Sequence, residues 1–186
     1  MSRKKSWVLV AYILLFLING TAQKNPLTKA ILSENYKKIN KLLEKKKFLV
    51  DQSNSLKWTP LIYAVDMGND SIVKLLLEKG GAQVNITINT GETPLHIAAK
   101  KGYAKIVTLL LSHKADMEVQ DLIRQTPLIA AVRANRYNTA KILLEHGANP
   151  NHATSSKKTA LDWAQTEEMK KLLLQYHAQT YKTLYE

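Results

Sequence analysis

The sequence contains no cysteine. Disulfides, thiolate nucleophiles and cysteine-based metal sites are therefore excluded, and an oxidising compartment carries no redox risk for the chain. Long apolar runs are missing too: residues 7–18 form a run of 12, well short of the ~20 residues that a membrane-spanning helix needs. Acidic residues are scarce, with 15 Asp and Glu against 27 Lys and Arg and a net charge of +12. Glycine is sparse, seven in 186 residues, and none of it forms a phosphate-cradling loop. Ser112, His113 and Asp162 supply the residue types of a hydrolytic triad, but no strained nucleophile turn accompanies them. The five histidines, His96, His113, His146, His152 and His177, lack the i,i+4 or cysteine-paired geometry of a metal centre. No catalytic, cofactor or metal site is expected, and the chain is not read as an enzyme.

What is present begins at the N-terminus. Arg3, Lys4 and Lys5 precede the apolar run, and Asn19-Gly20-Thr21-Ala22 follows it. A basic start, a short apolar core and a small residue at the end read as a secretory signal peptide over residues 1–22. The alternative is an uncleaved N-terminal anchor, against which the short run argues. Cleavage after Ala22 leaves residues 23–186 with 24 basic and 15 acidic residues, a net charge of +9. For an exported chain, nucleic acid is not the expected partner. Anionic surfaces or acidic proteins fit the charge better, unless the lysines only solvate the outer helices. The expected location is the periplasm in a Gram-negative bacterium and the exterior otherwise.

Beyond the leader, one pattern recurs. Thr59-Pro60-Leu61, Thr93-Pro94-Leu95, Thr126-Pro127-Leu128 and Thr159-Ala160-Leu161 are spaced by 34, 33 and 33 residues. Each is a helix start: the threonine hydroxyl caps an orphan N–H, and proline suits the first helical position. Asn25-Pro26-Leu27 lies 34 residues before the first of them, which marks a divergent N-terminal unit. The extra residue in the second unit falls beside Gly80-Gly81, a helix stop. Ala30, Ala64, Ala98, Ala131 and Ala164 share one column, and second-helix leucines share another. No such unit buries its apolar face alone, so neighbours must stack into a continuous core. Repeats are expected near residues 25–58, 59–92, 93–125, 126–158 and 159–178, with a short tail capping the stack.

Thr93-Pro94-Leu95-His96-Ile97-Ala98-Ala99, followed by Gly102, Ile106-Val107 and Leu109-Leu110, resembles the ankyrin-repeat family position by position. Leu143-Leu144-Glu145-His146-Gly147-Ala148-Asn149-Pro150-Asn151 is similar to that family's second-helix ending. The resemblance covers residues 25–178. It implies an all-α repeat solenoid of about five stacked helix–turn–helix repeats joined by β-hairpin-like loops, and it makes His96 scaffold. The family histidine is replaced by Ile62, Ile129 and Asp162, and the turn glycine by Lys57, Arg124 and Lys157. Those loops are expected to be less regular.

The resemblance also implies a protein partner on the loop tips and the concave helix face. The tips hold Trp58, Asn89, Glu92, Leu122, Ile123, Arg124 and Lys157; the concave positions hold Tyr63, Asp66, Met67, Lys100, Lys101 and Arg133. Trp163 shares that column but is assigned to packing, its repeat being terminal. The apolar pair Leu122-Ile123 beside Arg124 reads as a contact site, unless both side chains fold back on the neighbouring loop. The expected function is an exported protein-binding module, monomeric when free, that inhibits, protects or scaffolds a partner such as a cell-envelope enzyme. Two alternatives stand beside it: a basic protein held at the envelope or membrane surface, and a secreted effector binding host proteins.

Overall fold

A computed structural model describes residues 25–45 and 49–185, which are helical with no strand among them. The segment read as a signal peptide, residues 1–22, lies outside the described residues. Five helix pairs follow one another: α1 Pro26–Leu32 and α2 Tyr36–Lys45, α3 Pro60–Asp66 and α4 Asp70–Leu75, α5 Pro94–Lys101 and α6 Ala104–Ser112, α7 Pro127–Arg133 and α8 Tyr137–Glu145, α9 Ala160–Trp163 and α10 Glu167–Gln175. A short helix α11, Tyr181–Tyr185, follows. None of these helices is long and apolar enough to cross a membrane.

The first helix of each pair starts on a buried polar cap. Asn25 Oδ1 accepts from the Leu27 N–H at 2.8 Å. Thr59, Thr93 and Thr126 accept from the N–H of Ile62, His96 and Ile129, each at 3.4 Å. Such caps are worth about 0.5–2 kcal/mol, and these long bonds belong near the lower end. Ala30, Ala64, Ala98 and Ala131 are sealed from solvent, and first helices of successive pairs touch along this column. Ile72, Leu76, Ile106, Leu110 and Leu143 fill the layer beneath.

The second unit takes up its extra residue inside the helix. After Leu75 the chain continues as a wider π-helical turn, Leu76–Gly80, and ends on left-handed Gly81. The glycine pair is therefore not merely a longer stop. Gly80 is a packing position, where a Cβ would lie 2.9 Å from Val50 Cγ2.

The loops between pairs are hairpin-like in their hydrogen bonds. The N–H groups of Asn54, Ile88, Asp121 and Thr154 donate to the carbonyls of Trp58, Glu92, Gln125 and Lys158 at 2.9–3.2 Å. Within each tip a left-handed residue closes the turn: Lys57, Gly91, Arg124 or Lys157, with φ between +57° and +82°. The loops lacking glycine are thus as regular as the one containing it, contrary to expectation. Their backbone bonds hold non-glycine residues in a conformation that costs roughly 1–2 kcal/mol. Neighbouring tips also stack, with the N–H groups of Asn89, Leu122 and Ser155 donating to the carbonyls of Leu56, Thr90 and Ile123.

A second ladder joins the units at their other end. Asp51, Asn85, Glu118 and Asn151 each accept, through a side-chain oxygen, the N–H of Gln83, Asp116, Asn149 and Gln179 at 2.8–2.9 Å. The tail is tied down by Asp162, which accepts from Tyr181 N–H at 2.7 Å, and by Thr159 Oγ1 donating to the Gln179 carbonyl.

Candidate binding groove

Loop tips and first helices enclose an open cavity of about 570 Å³ at the third and fourth units. Thr90, Glu92, Asp121, Leu122, Ile123 and Gln125 line it from the tips; Lys100, Ala130 and Arg133 line it from α5 and α7, with Ala134 just past the end of α7. Five sequence candidates therefore meet here: Glu92, Lys100, Leu122, Ile123 and Arg133. Leu122 is 75% exposed and Ile123 is 49% exposed, so neither folds back on its neighbour. The reason is local. Asp121 Oδ1 accepts from the N–H groups of Ile123 and Gln125, and this turn leaves both apolar side chains on the outside.

The charges in the groove divide into two kinds. Glu92 is mostly shielded and is matched by Lys100 Nζ at 3.3 Å and the Thr90 hydroxyl at 2.9 Å. Arg133 is held differently: its guanidinium donates to Gln125 Oε1 at 2.7 Å and lies 4.3 Å from the centre of the Trp163 ring. Lys158 Nζ stands 4.5 Å from the same ring. Trp163 is therefore more than packing, which the sequence reading missed. No single register position carried that signal, because Arg133, Lys158 and Trp163 stand at different places in their repeats.

Other candidates are distributed elsewhere. Tyr63 is 8% exposed, its hydroxyl accepts from Asn54 Nδ2, and its ring packs edge-on against Trp58 at 5.1 Å. Tyr63 is thus a scaffold residue rather than a contact residue, and half-buried Trp58 covers it. Met67 packs against the core. Asp66 pairs with Lys101 at 2.5 Å. Asn89, Arg124 and Lys157 stay exposed on successive tips, where Asn89 Nδ2 donates to the Ser55 carbonyl.

His96 is sealed beneath the groove. Its Nδ1 accepts from Thr93 N–H at 3.2 Å, and its Nε2 faces the Gln125 carbonyl at 2.9 Å. Those partners require a neutral ring protonated on Nε2. Burial pushes the imidazole below its ordinary range, against smaller upward pulls from the Gln125 carbonyl, Asp121 and Glu92. No group of three His, Asp or Glu among the described residues is arranged to hold a metal ion.

The repeat architecture has a counterpart in known families. A family model described as ankyrin repeats matches three times, over residues 9–88, 27–121 and 115–183. This chain belongs to the ankyrin-repeat family. The first match reaches into residues 9–22, inside the segment read as a leader, and the second spans three helix pairs. No curated protein matches the chain significantly. Ankyrin repeats are generally protein-interaction modules and typically non-enzymatic, which supports a protein-binding role for this chain.

Proposed function

We propose that this ankyrin-repeat protein is exported and uses the groove around Leu122 and Ile123 to inhibit, protect or scaffold another protein, such as an enzyme of the cell envelope. The exposed Leu122-Ile123 pair beside an open cavity carries the reading. Adjacent bulky apolar side chains held out in water favour a partner that covers them. Backbone bonds from Leu122 to Thr90 and from Ser155 to Ile123 keep the tip rigid, so little freedom is lost on docking. Export rests on the basic and apolar pattern of residues 3–22.

Crosslinking in intact producing cells, followed by purification from the exported fraction, tests both parts. One stoichiometric partner is expected, with recovery falling at least ~30-fold in the Leu122→Asp, Ile123→Asp double variant, as for a hot-spot pair worth ~2 kcal/mol. Equal recovery with both proteins, or none above background, would refute the groove. An N-terminus at Gln23 on the exported protein is expected; full-length protein confined to the cytosol would refute export. Binding that salt abolishes and the double variant leaves intact would favour association through surface charge.

A further inference from the structure

We infer that the partner segment taken by this groove is acidic, an extended stretch of another protein in which carboxylates flank an apolar side chain. The inference rests on the groove being the protein-binding site and specifies what it recognises. The argument begins with charge pairing. Among the described residues, Lys100 and Lys101 are neutralised locally by Glu92 and Asp66. Arg124, Arg133, Lys157 and Lys158, on or beside the third and fourth loops, have no carboxylate of the described residues within ion-pairing distance. The nearby acids are already engaged. Asp121 accepts from its own turn, and Asp162 accepts from Thr159 and Tyr181.

Arg133 is the centre of this cluster. Gln125 fixes one edge of its guanidinium and the Trp163 face supports its plane, while the side chain as a whole stays exposed. A guanidinium oriented in advance offers its remaining N–H donors to a carboxylate with little further loss of rotamer freedom. Charge-assisted bonds of this kind are also stronger than neutral ones. Leu122 and Ile123 border the same cavity, which places an apolar contact beside the cationic one. A neutral apolar segment would leave four cations unmatched, and a bare anionic surface would make no use of the apolar pair.

The test is selection from a phage-displayed random dodecapeptide library on the folded protein, followed by titration of the selected peptides. Asp or Glu beside a bulky apolar residue is expected in the selected set. Affinity should fall at least tenfold in both Arg133→Ala and Arg124→Glu, Lys158→Glu, and stay unchanged in Lys105→Glu, an exposed charge on α6. Circular dichroism and melting temperature verify that Arg133→Ala is folded, and the exposed pair Arg124 and Lys158 carries the test if it is not. Peptides that lose binding in Leu122→Asp, Ile123→Asp but are neutral or basic would overturn the acidic inference and leave the groove standing. Peptides indifferent to that double variant would overturn both. Binding to phosphatidylglycerol–phosphatidylcholine vesicles that falls with the cationic variants, with no peptide selected, would also overturn it in favour of a lipid surface.

Discussion

Lowering the pH should destabilise this protein through a single buried side chain, and His96→Gln should remove the effect. In the folded chain His96 is fully sealed, accepts from Thr93 N–H and donates from Nε2 to the Gln125 carbonyl. A proton added at Nδ1 would set two donors face to face in a site that solvent does not reach. Burial accordingly lowers the folded pKa, whereas the unfolded chain titrates near the ordinary ~6.5. As pH falls, the unfolded state takes up the proton first. The contribution of neutral His96 is therefore complete above ~6.5 and is lost as pH drops through the interval down to the folded pKa. Within that interval the slope approaches about 1.4 kcal/mol per pH unit for one proton. For a chain of this size that is roughly 3–6 °C of melting temperature per unit. Urea unfolding at a series of pH values, wild type against His96→Gln, isolates the term, because every other titrating group is common to both. Glutamine stays neutral and keeps a donor for the Gln125 carbonyl. A stability difference between the two proteins that does not vary from about pH 7.5 to about pH 5, an interval that brackets the ordinary ~6.5, would refute the reasoning.

Other outcomes follow from positions already described. Arg124→Gly and Lys157→Gly should each raise stability by about 0.5–1 kcal/mol, read as a higher urea midpoint, because both residues sit at positive φ. Gly91→Ala should lower the midpoint, since its Cβ would stand 3.0 Å from Leu122 N in an already left-handed turn. Glu118→Ala removes the acceptor for Asn149 N–H and the 2.8 Å contact with His152; about 1–2 kcal/mol should be lost, with hydrogen exchange rising at Asn149. Leu122→Asp with Ile123→Asp should shift the melting temperature little, within the ~0.5 kcal/mol typical of exposed sites, and a large fall would show that the pair supports the fold.

Much of this fold is legible in the chain because periodicity fixes register. The Thr-Pro-Leu starts and the alanine column follow from residues returning every 33 or 34 positions, and the structural role of His96 follows from the family resemblance that this register reveals. Register fails where a neighbour decides the outcome. Tyr63 occupies a groove-facing position, yet the Asn54 amide and the Trp58 ring close over it. Trp163 sits in the terminal unit, yet Arg133 and Lys158 lie against its ring and draw it into the groove's electrostatics. Loop regularity was also hidden, because hydrogen bonds at Lys57, Arg124 and Lys157 override a local conformational preference that composition alone reports. The candidate surface is thus readable as a set of positions, whereas its division into contact and scaffold needs the side-chain partners.

The ladder of Asp51, Asn85, Glu118 and Asn151 has a consequence for how such a chain can grow or shrink. Three different side chains, a short acid, a longer acid and an amide, make the same bond to the next unit. The seam therefore depends on an acceptor at one register position and not on a matched pair of residues. Excising residues 86–118 would bring Asn85 to the place that Glu118 holds, with an acceptor still offered to Asn149. Copying the same segment would add a unit without orphaning a backbone N–H. Length in this molecule is a variable that can change in whole units, and the seams between units are interchangeable parts.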